Sequence, residues 1–432
     1  MRLGRTIPVF LALLLLPAAL RAQDVPNAAY ARLHAAEFTG SKNFSSAEIL
    51  QASGLKLDSP TTRQDLQAAA NRLSALGVFS DVQYRFQTAT DGLHAEFQLA
   101  DEPVYPVSFD NFPWVTDDEL SAAIRKSVAL FNGSAPDHGA ILDSITTEIE
   151  NQLVLHGVRA KVTHSLLHDP ISDQPTEQFR AEGPDVSIAG VEFSDALAKN
   201  DPAITQSLKD LIGKPYSRDT LELFEFEQVR PVYLARGFLE VRFPRNSVRL
   251  AAGSDKDSPA QVTISAPIEP GSAFTWNGVV WTGSGAIAPQ QLDALVPLKQ
   301  GDSADGMKVQ ALWHAVSAAY GHLGYLDAAI TPAPHYDEDA HRVTYSVAIT
   351  EGPQYHMGDL VLSGLSIVGE KQIREAWKIP PGAIFDETFY EKFLDTGITE
   401  AFAGLPIHYE KIGHYLEKKS QTAKANVMLD FQ

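Results

Sequence analysis

The sequence predicts an α+β fold of five tandem β-α-α-β-β units, each with two helices packed on one face of a small three-stranded mixed sheet, after a cleaved signal peptide. Three observations predict it. One glycine recurs about every 80 residues, at Gly77, Gly157, Gly237, Gly324 and Gly404, with separations of 80, 80, 87 and 80. Amphipathic helical patterns precede these glycines, and alternating strand-like runs follow them. Acid–turn clusters separate the units: Asp101-Glu102-Pro103, Glu182-Gly183-Pro184, Glu269-Pro270-Gly271 and Glu351-Gly352-Pro353.

The elements follow in chain order. Arg2 and Arg5 precede the apolar run from Val9 to Leu16, and small residues lead to Ala22. That run is too short to span a bilayer, which needs about 20 apolar residues, and reads as a secretory signal cut after Ala22. Each unit then opens on an extended run ending in a turn residue: Gly40, Asn111, Gly190, Gly278 and Gly364. Ser45-Ser46-Ala47-Glu48 and Thr116-Asp117-Asp118-Glu119 begin short helices as capping boxes. A second glycine class, Gly54, Gly133, Gly213, Gly301 and Gly382, lies before the longer helix.

That longer helix places the residues eleven, eight and four positions before its closing glycine on one helical face, most of them apolar. They are Leu66, Ala69 and Leu73; Thr146, Ile149 and Leu153; Phe226, Val229 and Tyr233; Trp313, Val316 and Tyr320. The fifth unit has Phe393, Thr396 and Glu400, and Gly397 weakens its helix further; Pro231 predicts a kink in the third. The closing glycines Gly77, Gly157, Gly237, Gly324 and Gly404 are expected as left-handed helix ends. Strand, polar loop and final strand complete the unit, clearest in Val78 to Phe86 and Leu93 to Leu99.

Composition narrows the function. The 432 residues carry a net charge of −19, and −22 once Arg2, Arg5 and Arg21 are removed with the signal. Nucleic acid and anionic lipid would repel such a chain. The absence of cysteine excludes disulfides, thiolate metal sites and cysteine nucleophiles. No hydrolase elbow, metalloprotease motif or P-loop occurs. Gly283-Ser284-Gly285-Ala286-Ile287-Ala288 fits a loose dinucleotide fingerprint, but Pro289-Gln290 reads as an ordinary helix start. His164 and His168 lie on an extended run rather than one helical face, and Asp255 to Asp257 and Asp337 to Asp339 read as solvated loop tips. Lys411, Lys418, Lys419 and Lys424 make the last unit locally basic, as a solvated face or as a contact for an acidic neighbour or lipid headgroup. No catalytic, cofactor or metal residue is assigned.

The element order, the run Leu73 to Val82 with its relatives Val232 to Val241 and Tyr320 to Ala328, and the boundary at Ile349 to Gly364 resemble the POTRA (polypeptide transport-associated) domain. The resemblance covers residues 30 to 432 as five copies: 30–103, 104–184, 185–271, 272–353 and 354–432, after the signal at 1–22. It implies a place on the periplasmic side of outer-membrane assembly or secretion factors. A carboxy-terminal barrel normally follows in that family, and with the sequence ending at Gln432 the expectation is of the soluble, polypeptide-binding part alone. The implied partners are extended envelope polypeptides or a separately encoded barrel protein, with no nucleic acid and no transmembrane segment in the mature chain. An extended peptide can add to a free sheet edge. The strand after each closing glycine is the expected edge, with Val82, Tyr84 and Phe86, Phe238 and Val241, and Tyr325 and Ala328 as candidate contacts. The rival expectations are an architectural spacer that binds a folded envelope protein and an enzyme with a cryptic site between units.

Overall fold

A computed structural model describes residues 31–169, 173–183, 185–251, 260–405 and 409–432. The signal segment and the acidic tip Asp255 to Asp257 lie outside the described residues. The chain divides into two compact units, Met1–Pro184 and Asp185–Gln432. It is a mixed α+β protein built on several small mixed sheets.

In the first unit, β1 (Ala31–Thr39), β2 (Pro60–Thr61), β3 (Phe79–Ala89) and β4 (Gly92–Asp101) form a sheet in the order β2-β1-β4-β3. The strands β5 (Tyr105–Phe109), β6 (Ser134–Ala135), β7 (Lys161–His168) and β8 (Pro175–Glu182) repeat it as β6-β5-β8-β7. The second unit holds β9 (Val186–Phe193), β10 (Ser247–Leu250) and β11 (Ala260–Ala266) in the order β10-β11-β9. Next come β12 (Thr275–Thr282), β13 (Ala329–Asp337) and β14 (Arg342–Thr350), ordered β12-β14-β13. Last are β15 (His356–Ser363), β16 (Ile412–Lys419) and β17 (Lys424–Phe431), ordered β15-β17-β16. In every sheet the opening strand runs parallel to the closing one, which lies in the middle and pairs antiparallel with the strand before it.

Alternation along the central strands builds the cores. On β4, Leu93, Ala95, Phe97 and Leu99 are buried, and Leu66, Ala69 and Leu73 of helix Arg63–Ala75 cover them. The same layering joins Val316 and Tyr320 to Val343 and Val347 in the second unit. Fully burying one such side chain contributes about 1.5–3 kcal/mol. Ser45 and Thr116 close the capping boxes that their sequences indicate, with Glu48 and Glu119 as reciprocal partners.

Three sequence expectations need correction. The strand-ending turn falls at Gly283, not Gly278, and at Ser194, not Gly190. Gly278 sits inside β12 at a register shift, and Gly190 pairs with Thr263 inside β9. Gly40, Gly283 and Gly364 instead present their Cα to the carbonyls of Leu99, Ile349 and Phe431, where no Cβ fits. Asn111 does not use the left-handed region. Its side-chain amide exchanges hydrogen bonds with the Ala181 backbone at 2.9 and 2.7 Å. Phe226 is not on the buried helix face. A π-helical turn over Glu225–Val229 inserts one residue, so Glu225 turns inward and Phe226 is 39% exposed, beneath the Arg230 guanidinium. This turn ends two residues before Pro231, whose missing N–H is better accommodated by a π-bulge than by a regular helix. A second π turn, Phe393–Gly397, occupies the corresponding helix near the end of the chain.

The boundary acids have a structural task. Asp101 Oδ2 accepts from the Lys42 and Asn43 N–H groups at 2.7 and 3.2 Å. Glu351 Oε1 accepts from Gly285 and Ala286 at 2.6 and 2.7 Å and from the Tyr320 hydroxyl at 3.1 Å. The dinucleotide-like loop is therefore filled by the protein's own carboxylate. Burial pushes Glu351 up, but these three donors outweigh it and hold the carboxyl below the usual range.

The five closing glycines have φ between 79° and 85°. Gly237 and Gly324 are also joints: their carbonyls accept from the Phe274 and Tyr355 N–H groups at 2.9 and 2.7 Å. A Cβ there would lie 2.5 Å from the Phe274 oxygen and 2.7 Å from the Tyr355 oxygen. Gly157 and Gly404 meet nothing within 4 Å, so φ alone favours glycine at those two places.

Candidate functional site

The two edges of each sheet are not equivalent. The opening strand is partly covered by the segment between the two helices. Leu33, Val107, Ile188, Trp276 and Met357 donate their N–H groups to Ser59, Gly133, Lys214, Asp302 and Ala383 carbonyls at 2.7–3.0 Å. The strand after the closing glycine has a neighbour on one side only, so its outer edge offers backbone groups for strand addition.

These five edges differ sharply. β3 runs for 11 residues without proline. Val82 and Tyr84 on it face the helix layer and are half-buried, packed against the core. The Tyr84 hydroxyl donates to Gln67 Oε1 at 3.1 Å, and its ring stacks on Phe97 and Phe86 at 5.7 and 6.5 Å. Phe86 lies farther along, is 44% exposed, and helps line a groove of about 250 Å³ with Ala35, Arg85, Gln87 and His94. Arg85 and Glu96 form a two-pronged ion pair at 2.8 Å beside it. β7 is also free of proline and exposes Leu166 and Leu167. Sequence reasoning passed over these two. Adjacent leucines on a strand are the available signal, because they point to opposite faces.

The other three edges are blunted. β10 has four residues. β13 contains Pro332 and Pro334, yet its pairing with β14 is unbroken through both. A proline nitrogen cannot donate, so both must face the outer edge, where they remove two donors. β16 ends on Lys418 and Lys419, and Lys418 Nζ binds Asp327 Oδ1 at 2.5 Å.

Four expected contact residues therefore move off the edge. Phe238 and Val241 precede β10: Phe238 packs edge-on against Tyr233 at 5.9 Å, and Val241 is buried. Tyr325 and Ala328 close a turn before β13, with the Ala328 N–H donating to the Tyr325 carbonyl at 3.1 Å. Here the chain turns after the glycine before it extends, so glycine spacing alone places these residues too early. His164, singled out with His168, pairs through Nδ1 with the buried Glu177 at 2.7 Å. Burial pushes the Glu177 carboxyl up, and His164 partly offsets it.

Comparison with known proteins picks out two of these sheets with their helices. The POTRA family model (surface antigen variable number repeat) matches residues 31–100 and 274–352. Those two segments are similar to POTRA domains. The chain is similar to a curated relative from Treponema pallidum (strain Nichols) described as "Putative outer membrane protein assembly factor", at 21% identity over 223 residues. The match takes in 50% of this chain and 26% of the relative, so the chain spans about a quarter of that protein's length. Among solved structures it is similar to Haemophilus influenzae BamA POTRA3-5, at 13% identity and a TM-score of 0.43, covering 57% of this chain and 96% of that one. POTRA1-3 of the periplasmic domain of Omp85 from Anabaena matches at 11% identity and a TM-score of 0.20, covering 94% and 96%. Among the described residues, no helix is long and apolar enough to cross a membrane.

Proposed function

We propose that this chain is a non-enzymatic periplasmic scaffold of five POTRA units, exported by a cleaved signal, with the boundaries expected from the sequence. It binds extended polypeptide, or a strand of a barrel partner, during outer-membrane protein assembly or secretion. The observation that carries the reading is the β3 edge, long, proline-free and flanked by Tyr84 and Phe86, in a segment matched by the POTRA family model. An added strand would pair its main chain with β3 and set alternate side chains between Phe86 and the Gln67–Asn71 face of the neighbouring helix.

The second unit supports an architectural reading of its own part, because short length, proline and lysine blunt its three edges. The test is a titration with an unfolded outer-membrane-type peptide, followed by backbone amide shifts and hydrogen exchange. Perturbation and slowed exchange confined to Val82–Thr88, weakened in Phe86→Ala, supports strand addition. Unchanged β3 amides at saturating peptide overturn it.

A further inference from the structure

We infer that His34, Asp91 and His94 form a binding site for a transition-metal dication of the zinc class on the first sheet. Their ligand atoms all lie within 4.8 Å of one another. Asp91 Oδ1 is 2.8 Å from His94 Nε2, and Oδ2 is 3.5 Å from His34 Nε2. Ligands around a tetrahedral zinc ion stand about 3.4 Å apart, given metal–ligand bonds of about 2.0–2.1 Å. The two carboxylate–imidazole separations, 2.8 and 3.5 Å, fall on either side of that spacing. Two imidazoles with one carboxylate suit zinc, copper or nickel better than calcium or magnesium, which prefer all-oxygen sites.

The backbone builds the site. β1 pairs with β4 through Leu33↔Leu93 and then Ala35↔His94, which leaves His34 as the extra residue of a β-bulge. A bulge re-aims the side chain of the residue it inserts, and the two imidazole rings come to 5.1 Å. The same register shift in β12 places Asn277 beside Thr344, joined by a 2.8 Å hydrogen bond. Side-by-side placement therefore recurs, whereas the pair of imidazoles belongs to the first sheet. Asp91 comes from the two-residue turn between β3 and β4, whose last pair is Ala89↔Gly92. Gly92 lets that turn approach β1: a Cβ would lie 2.6 Å from the Arg32 oxygen. The three side chains are 50%, 49% and 29% exposed, so an ion can enter and a water or a ligand from outside can complete its coordination.

The test is calorimetric titration of the untagged chain with zinc chloride, and visible absorption on adding cobalt(II). One zinc per chain and a cobalt d–d band are expected. His34→Ala, Asp91→Asn and His94→Ala should each weaken zinc by roughly tenfold or more, while His335→Ala, an exposed histidine on β13, leaves it unchanged. Far-UV circular dichroism verifies that the variants are folded. No zinc uptake at millimolar metal, or uptake unaltered in all three site variants, overturns the inference.

Discussion

The sheet edges of Met1–Pro184 differ from those of Asp185–Gln432, although one architecture produces both. In the first unit β3 and β7 are long, lack proline and expose Phe86, Leu166 and Leu167. In the second, β10 is short, β13 carries Pro332 and Pro334, and β16 ends in lysines. The π turns also belong to the second unit. Core positions define the fold, whereas edge positions are set independently of it, so neighbouring copies of one fold can be given opposite tendencies toward strand pairing.

The largest expected effect tests what the units share. Phe97→Ala on β4 should cost about 3–5 kcal/mol, and Leu429→Ala at the matching place on β17 about 2–5 kcal/mol, by urea unfolding. Near-neutral results at either position would break the equivalence of the cores.

Glu225 sharpens the contrast next. Its carboxyl is buried, and burial pushes it up to about 7 from its ordinary value of 4.5, with Asn246 partly offsetting the shift. The folded state therefore holds a proton that the unfolded chain releases at lower pH. Stability should fall as pH rises from 4.5 through about 7 and then level off. Glu225→Gln should remove that slope and stabilise the second unit at pH 8 by up to ~3 kcal/mol. A variant with the wild-type pH slope would refute the assignment.

Edges come third. Replacing Pro332 and Pro334 by threonine restores two outward N–H donors on β13. Self-association or peptide affinity, read by analytical ultracentrifugation, should rise roughly tenfold, equivalent to about 1.4 kcal/mol. An unchanged sedimentation profile with and without peptide would mean that proline is not what guards this edge. The smallest effect is Lys418→Ala, which removes a solvent-exposed ion pair with Asp327 and should cost about 0.2–1 kcal/mol in thermal unfolding.

The sequence displayed the periodic skeleton well. The closing glycines are left-handed, and the residues eight and four before them are buried in the first four repeats, as with Ile149 and Leu153. It concealed features that depend on a single inserted residue. The π turn rotates Glu225 inward in place of Phe226, and a helical wheel cannot register it. The bulge at His34 likewise aligns two histidines that lie 60 positions apart in the chain. Tyr325 and Ala328 were misplaced because glycine spacing marks where a helix stops, not where the next strand begins.

The joints at Gly237 and Gly324 carry a further consequence. Each is a bond between main-chain groups, so it depends on no particular side chain apart from the missing one. The residues exposed around each joint can therefore change while the bond itself is kept.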